Sequence, residues 1–334
     1  MYFQLFSNCF IIKGLVHDLV YDLHTGNILE IKKRISELIR TALNHKTIDE
    51  VKSIFPDWKA GIDAYLELLI DQDFAFKTNE PHKFPPLDLN YESPFELENA
   101  IIHISKSIDI SDQILEIIKL GVTGLQLISD QPTIQEIEKY TPLFINSKVR
   151  RVELILRQSQ LTYSELVSIA DDRRFIYRNF DCSEGQAGNL KTLPDDHQDH
   201  LHYLFNAESI DPFKKETYAM AGFSVNLSNF IEATSRNIGL NKKICIDKDG
   251  NIKNYLSHET SFGNIKEDQI TAIVRSEAFQ KLWFIDNSSI EKCKNCMYRM
   301  MCYSCSDLEY RDGKYFKKDE CNYNPETERW TEEN

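Results

Sequence analysis

The sequence predicts an α/β protein built on a partial (β/α) barrel, with a winged-helix-like α+β module before it and a small cysteine-rich domain after it. In residues 97–236, strand-like segments alternate with helices of about ten residues, which is the pattern of successive βα units with a parallel sheet. In residues 1–80, strand-like segments come first and amphipathic ones follow. In residues 237–334, five of the eight cysteines lie between positions 293 and 321.

The N-terminal module is predicted from a change of hydrophobic period near Ile31. Thr47 and Glu50 have the spacing of a capping box, and three prolines in residues 81–86 predict a linker over 81–96. The predicted elements are strands at 4–13, 18–24 and 28–31, helices at 31–43, 47–55 and 58–71, and a closing strand at 74–77.

Such a module could accept an extended peptide at the edge of its sheet, because an edge strand has unpaired backbone groups. The strand expected to receive the peptide consists of Ile28, Leu29, Glu30 and Ile31. The alternative is that residues 1–80 only cap the larger domain.

The middle of the chain lacks the motifs of common nucleotide-dependent enzymes. No Gly-x-Gly-x-x-Gly, Walker or Gly-x-Ser-x-Gly motif occurs, and twelve glycines in 334 residues leave little material for phosphate-binding loops. A dehydrogenase or kinase is therefore not predicted. The βα pattern predicts strands at 100–105, 123–128, 151–156 and 174–180, and helices at 111–120, 133–140 and 162–170.

Several polar groups in this region are candidates for a site, although a structural role is the favoured interpretation of each. Glu153 and Arg157 could point into a barrel mouth, but nothing in the sequence fixes their direction. A second group could bind a metal (the histidines) or an anion (the arginines), but its members are interpreted as solvated ends of strands. They are His197, His200, His202, Arg150, Arg151, Arg173 and Arg174.

Charge and hydropathy exclude two classes of partner. The net charge is −13, and a protein that neutralises nucleic-acid phosphates needs an excess of lysine and arginine. No apolar run reaches the roughly 18 residues of a membrane span, and the first residues lack the features of a signal peptide. A cytoplasmic protein is expected, in a reducing compartment where clustered cysteines bind metal more often than they form disulfides.

The cysteine cluster predicts a metal site. Cys293 and Cys296 form a C-x2-C pair, which can bind one metal centre from a tight turn, and further thiolates complete the coordination shell. Zn²⁺ and an iron–sulfur cluster both remain open from the spacing alone. The remaining members of the cluster are Cys302, Cys305 and Cys321.

Several segments together resemble the SPASM domain, the cluster-binding extension of radical SAM peptide-modifying enzymes. They are the hairpin 244–254, the segment 262–265, the helix with Trp283, and the cysteine spacing C-x2-C-x5-C-x2-C followed by Cys321. The chain resembles the SPASM-domain peptide maturases of grasp-with-spasm systems, which accompany an ATP-grasp ligase in ribosomal peptide biosynthesis. Gly14, residues 20–23 and residues 321–325 are similar to that family as well.

The resemblance implies that Cys293, Cys296, Cys302 and Cys321 hold one auxiliary [4Fe–4S] cluster, with Zn²⁺ as the alternative metal. Cys305 matches a ligand of a second, inner cluster. Gly239 and Tyr255 stand at or near the positions of that cluster's other cysteines, so its absence is expected, and Cys245 lies nearby on a strand rather than at a motif position.

The resemblance also implies a degenerate radical SAM barrel. Residues 104–111 follow the first barrel strand and contain none of the C-x3-C-x2-C cysteines, and Ser129-Asp130-Gln131-Pro132 replaces the family's Gly-Gly-Glu-Pro. No cleavage of S-adenosylmethionine is therefore expected. The hypothesis is a non-radical adaptor that binds the leader of a precursor peptide and presents its core to the ligase. The alternatives are an active peptide-modifying enzyme and a zinc-stabilised interaction protein outside peptide biosynthesis.

Overall fold

The computed structural model describes residues 1–162, 165–166, 168, 174–180, 203–205, 223, 225–303, 306–318 and 321–331. The chain forms two compact units. The cysteine unit comprises residues 1–92, 216–239 and 284–334, and the sheet unit comprises residues 93–215 and 240–283. These units cut across the predicted domains, because the predicted C-terminal domain contributes residues 240–283 to one unit and 284–334 to the other. The predicted boundaries themselves remain a prediction.

The cysteine unit begins with an α+β module. Strands β2 to β4 form an antiparallel meander in the order β2-β3-β4, and β1 pairs separately with β5. The elements are β1 (Tyr2–Leu5), β2 (Cys9–Lys13), β3 (His17–Asp22), β4 (Ile28–Lys32), α1 (Lys33–Leu43), α2 (Ile48–Ile54), α3 (Lys59–Asp71) and β5 (Ala75–Thr78). Three strands followed by three helices were predicted, but the single strand predicted over 4–13 is two strands that belong to different sheets.

Local sequence explains the helices of this module. The apolar stripe of α1 (Ile35, Leu38, Ile39 and Ala42) is buried, as its period predicted. The capping box that begins α2 is confirmed: the Thr47 hydroxyl accepts from the Glu50 amide, and the Glu50 carboxylate accepts from the Thr47 amide at 2.7 Å. These helices pack with Phe3, Val20 and Ile31 in one apolar core.

The sheet unit contains a seven-stranded sheet in the order β10-β9-β8-β7-β6-β11-β12. Strands β6 to β9 run parallel, as the βα pattern predicted, and β10 and β11 extend the parallel sheet on its two sides. The hairpin predicted around residues 247–251 forms, with β12 antiparallel to β11. Closure into a barrel remains a prediction. The elements are β6 (Asn99–His103), α4 (Ser111–Lys119), β7 (Gly124–Asp130), α5 (Ile134–Tyr140), β8 (Arg151–Arg157), β9 (Phe175–Phe180), β10 (Tyr203–Phe205), β11 (Lys243–Ile246) and β12 (Ile252–Lys253). The helix predicted over 162–170 lies largely outside the described residues.

The two faces of this sheet differ. One face packs against Ile114 and Ile117 of α4 and Ile137 and Tyr140 of α5 in the largest apolar core. Among the described residues, the other face has a small apolar cluster, formed by Ile101, Ile128, Cys245 and Leu256. Polar and charged side chains, among them Glu153 and Arg157, share this second face with the cluster.

The remaining elements are short. They are α6 (Leu227–Ala233), α7 (Ile270–Val274), α8 (Glu277–Gln280), β13 (Leu308–Arg311), β14 (Lys314–Lys317), β15 (Tyr323–Asn324) and β16 (Arg329–Trp330). Strands β13 and β14 form one hairpin, and β15 and β16 form another. In the described part of the chain, no helix is long and apolar enough to cross a lipid bilayer.

Candidate metal centre

Four of the predicted ligands lie around one cavity in the cysteine unit. Cys293 begins a single 3₁₀ turn that ends before Cys296, so the C-x2-C pair is held by a tight backbone turn, as its spacing predicted. Cys302 and Cys321 reach the same cavity from later parts of the chain. The cavity measures about 380 Å³, roughly a dozen times a water molecule's ~30 Å³ share of the liquid.

Burial keeps the Cys293 and Cys296 thiols protonated in the absence of metal. The pKa of Cys293 is raised to about 12, mainly by burial and also by the neighbouring sulfurs of Cys302 and Cys321, while Lys317 and Lys292 oppose the rise. Burial likewise raises the pKa of Cys296 well above its usual range, although the Tyr298 amide donates a hydrogen bond to its sulfur at 3.3 Å. Binding of a metal by these thiolates would therefore release protons.

The residues around the cavity fit a thiolate-bound group of several atoms. Lys292, Arg299 and Lys317 line it and place positive charge near the four sulfurs. All four cysteines line the cavity. In the described part of the chain, no group of three or more His, Cys, Asp or Glu side chains is arranged to hold a metal ion. A cluster held by thiolates, hydrogen bonds to sulfur and nearby cations is the type of centre that this donor set fits.

The buried polar atoms in the cavity wall include two that lack a hydrogen-bond partner among the described residues. They are the Tyr323 hydroxyl and the Asn287 Oδ1. The Asn287 side-chain amide donates to the carbonyls of Arg299 at 2.7 Å and Cys302 at 3.0 Å, so it fixes the loop that carries Cys302. Burial, followed by the nearby Cys296 sulfur, raises the pKa of the Tyr323 hydroxyl well above its usual range.

The loop of residues 293–303 (the cysteine loop) and the β2-β3-β4 meander share one apolar core. Tyr21 of β3 is fully buried, and its hydroxyl donates to the Met297 carbonyl at 2.5 Å. The Arg299 guanidinium donates to the Lys13 carbonyl at 2.5 Å and to the Cys296 carbonyl at 2.8 Å. The common core contains Ile12, Leu19, Tyr21, Leu23, Phe230, Ala233, Ile238, Met297, Tyr298, Met300, Met301 and Tyr323.

Glu328 makes a further link between the two ends of the chain. Its carboxylate accepts from the amides of Val16 at 2.9 Å and His17 at 2.8 Å, and it contacts the His17 ring at 2.7 Å. Burial alone would raise the pKa of Glu328, but these hydrogen bonds and the His17 charge outweigh it and lower the pKa. The turn between β2 and β3 is thus fixed by a residue more than 300 positions away.

The predicted peptide-binding residues lie in β4. This strand is at one edge of the β2-β3-β4 order and pairs with β3. Ile31 is buried, Ile28 and Leu29 are half-buried, and Glu30 is exposed. The arrangement gives the strand an edge position, and peptide binding there remains a prediction.

The remaining candidate site residues from the sequence differ in their positions and roles. Cys245 is fully buried in the sheet unit, and burial raises its pKa to about 12. Gly239 has no room for a cysteine side chain, since a Cβ there would lie 2.8 Å from the Tyr303 carbonyl oxygen. Arg174 donates to the Phe144 carbonyl at 2.6 Å, which is a structural role. Cys305, His197, His200, His202 and Arg173 lie outside the described residues.

Sequence reasoning missed a polar constellation at the carboxyl ends of three parallel strands. Asp130, at the end of β7, accepts from Arg157 at 2.5 Å and contacts His103 Nε2 at 3.1 Å. Burial, partly opposed by the Asp130 charge, lowers the pKa of His103. Asp130 and Arg157 are directly paired in the sheet register. Knowing which strands are neighbours would have located the group, and the sequence alone does not give that order.

Glu153 forms a second group on the same face of the sheet. It is buried, accepts from the Gln126 amide at 2.7 Å, and pairs with the Arg178 guanidinium. Glu153 and Arg157 were the two residues expected near a barrel mouth. Both therefore form ion pairs.

Comparisons with known proteins agree with part of this picture. Residues 240–297 match the SPASM iron–sulfur cluster-binding domain, a span that includes Cys293 and Cys296 and ends before Cys302. Fold and site thus define an α/β protein with a segment similar to that domain. No curated protein matches the sequence significantly.

Similar solved structures include two of Streptococcus suis SuiB. The structure bound to S-adenosylmethionine has 10% identity and a TM-score of 0.30, and the match covers 90% of this chain and 94% of SuiB. The structure bound to precursor peptide SuiA has 10% identity and a TM-score of 0.28, covering 95% of this chain and 99% of SuiB.

Proposed function

We propose that this protein acts in the maturation of a ribosomally synthesised peptide in the cytoplasm. It binds the precursor's leader at the edge of β4 and presents the core to a partner ATP-grasp ligase. It holds one [4Fe–4S] cluster through Cys293, Cys296, Cys302 and Cys321. The observation that carries the proposal is the cavity lined by these four thiols, in a core shared with the β2-β3-β4 meander.

The chain's own residues have defined tasks around that cavity. The Tyr298 amide donates to the Cys296 sulfur, and Lys292 donates to the Cys321 carbonyl at 3.0 Å, which orients the last thiol. Asn287 holds the loop before Cys302. A bound [4Fe–4S] cluster would supply a rigid cross-link and a one-electron redox centre. Because β3 packs on the same loop, the cross-link supports the surface proposed to hold the leader.

Radical chemistry is not part of the proposal. Residues 104–111 supply no thiolate after β6, and Ser129-Asp130-Gln131-Pro132 spans the end of β7. Serine and aspartate cannot replace the three thiolates of a cluster that cleaves S-adenosylmethionine. We therefore propose an adaptor rather than a radical enzyme.

Metal analysis of anaerobically purified protein tests the centre. About four irons and four sulfides per chain are expected, while about one zinc without sulfide would favour a structural zinc site and the interaction-protein alternative.

Cys296→Ser should lose the metal and destabilise the cysteine unit by at least about 3 kcal/mol. Cys305→Ser is the matched control and should retain it; loss of metal in that variant would contradict the ligand assignment.

Leader binding is tested at β4. Leu29→Pro removes the amide through which β4 pairs with Val20 of β3, so it should distort the edge strand and abolish binding of the precursor leader, measured by fluorescence anisotropy, while the metal content stays unchanged. Ile31→Pro is the less suitable variant because Ile31 belongs to the apolar core. Full binding by a folded, metal-loaded Leu29→Pro protein would exclude strand addition at β4.

A second candidate function, an active peptide-modifying enzyme, is favoured by the His103–Asp130–Arg157 constellation. Ligands of open α/β sheets bind at the carboxyl ends of the strands, where these three side chains lie. A mass change of the precursor caused by this protein alone, lost in Asp130→Asn and kept in the exposed-site control Asp109→Asn, would establish this function. An unchanged precursor mass favours the adaptor.

A further inference from the structure

A large groove lies on the side of the N-terminal module formed by β1, β2 and the proline-rich segment after β5. It measures about 740 Å³ and is lined by residues from β1 and β2, the end of α1, and residues 81–87. All of these residues belong to the cysteine unit. In the order β2-β3-β4, strand β2 is the edge opposite to β4, so the groove is distinct from the leader site proposed above.

Aromatic side chains form one wall of the groove. The Phe6 and Phe76 rings lie 5.0 Å apart, and Phe76 packs edge-on against Phe84 at 4.7 Å. Phe6 is 39% exposed and Phe84 is 48% exposed, although both are large apolar residues. Pro81, Pro85 and Pro86 complete this wall and give it a rigid backbone. Contiguous exposed apolar surface of this kind marks an interaction site more often than single exposed residues do.

The charged side chains that line the groove are all basic. They are Arg40 and Lys83, which are joined in the lining by the His45 imidazole, and no carboxylate of the described residues lines the groove. This is unusual for a chain with a net charge of −13. The two permanent cations have partners outside the lining: Arg40 lies 3.7 Å from Asp18, and Lys83 lies 2.8 Å from Glu80 in a pair that is more than half exposed. Such an exposed pair contributes little free energy and can exchange its partner.

We propose that this groove binds an acidic peptide segment with apolar side chains, supplied by a polypeptide other than this chain. Apolar side chains of the segment fill the space beside Phe6 and Phe84, and its carboxylates lie at the basic rim near Lys83 and His45. The aromatic rings are already packed together, so little side-chain freedom is lost on binding. Charge complementarity selects an acidic segment over a basic one.

Binding of a synthetic peptide tests the proposal. The probe is a fluorescein-labelled decapeptide that alternates aspartate with leucine or phenylalanine, titrated with the metal-loaded full chain at low salt. Its counterpart has lysine in place of every aspartate. We expect saturable anisotropy changes with the acidic peptide and at least tenfold weaker binding of the basic one.

Matched variants locate the binding site. Phe84→Ala should weaken binding of the acidic peptide about tenfold or more, from the loss of one aromatic contact. Ile54→Ala, which truncates a residue that is equally exposed at 48% but outside the groove, should have no effect. Lys83→Glu should weaken the acidic peptide and strengthen the basic one. Lys59→Glu, the same charge change on exposed α3, should change neither.

Three results would overturn the proposal: equal binding of both peptides, no saturable binding of the acidic peptide, or equal effects of the groove and control variants. Sedimentation of the free protein is the remaining measurement. A dimer that Phe84→Ala dissociates would make a second copy of the chain the occupant instead. Leu29→Pro separates this proposal from leader binding, since loss of strand addition at β4 should leave binding of the acidic decapeptide intact.

Discussion

Asp18 forms ion pairs and hydrogen bonds within the N-terminal module. It is buried in β3, and its carboxylate lies 2.5 Å from the Lys33 ammonium and accepts from the Gly14 amide at 3.2 Å. Burial alone would raise the pKa of Asp18. Hydrogen bonds from Lys33, Ser36 and Gly14 and the lysine charge outweigh burial, so the pKa is held below its usual value. Ionised Asp18 therefore stabilises the fold.

Asp18→Asn should lower the free energy of unfolding by about 1–3 kcal/mol at pH 7, because a buried charged hydrogen-bond acceptor is lost. The folded pKa is below the unfolded value of about 3.9, so this contribution is present above about pH 4 and lost as pH falls through the folded pKa. Urea unfolding from pH 7 to pH 3 should show the two proteins converging in acid. The exposed-site variant Asp57→Asn should match the wild type throughout, and a constant gap between Asp18→Asn and wild type would refute the linkage.

At the same scale, some site residues could be predicted from the sequence and others could not. The spacing of Cys293 and Cys296 is imposed by a local turn, so it is visible in the sequence. Tyr21 and Met297 are 276 positions apart, and their hydrogen bond depends on how the chain folds back. Asp130 and Arg157 likewise meet because β7 and β8 are neighbours. Spacing reveals local chemistry, whereas partners across the fold require the topology.

Among the elements, β3 connects the meander to the cysteine loop through the Tyr21 hydroxyl. Tyr21→Phe keeps the apolar volume but leaves the buried Met297 carbonyl without this donor. We expect a loss of about 1–2 kcal/mol in unfolding free energy and faster release of metal to a chelator. Tyr65→Phe, on the half-buried side of α3, is the control. Unchanged metal release in Tyr21→Phe would separate the meander from the stability of the metal centre.

Elements with strong local signals were predicted most accurately. The capping box of α2, the buried stripe of α1 and the alternation of β6 to β8 with helices all follow from short-range sequence patterns. The segment 4–13 was predicted as one strand, although Ser7 and Asn8 interrupt its apolar residues. The backbone turns there: the Phe6 amide donates to the Phe74 carbonyl, and the Phe6 carbonyl accepts from the Cys9 amide. The two polar residues are a turn signal, whereas the long-range contact with Phe74 has no signal in the sequence.

For the whole molecule, the shared core predicts that metal removal affects both ends of the chain. Cys296, Cys321 and the buried Met297 pack with Ile12, Leu19 and Leu23 in one cluster. Hydrogen exchange after chelation should therefore rise in residues 9–22 as well as in 293–303. It should stay unchanged in β7 and β8, which belong to the sheet unit. Increased exchange confined to 293–303 would show that the two ends are stable independently.

The chain passes several times between its two units, and this limits which parts of the gene can be inherited separately. The chain crosses between the units after residues 92, 215, 239 and 283. The span similar to the SPASM domain, 240–297, itself crosses the last of these borders. A gene fragment encoding only residues 237–334 would carry β11 without its neighbour β6, and the cysteine loop without β3. Such a fragment would leave these neighbours behind, so we expect that it does not fold when it is transferred alone to another gene.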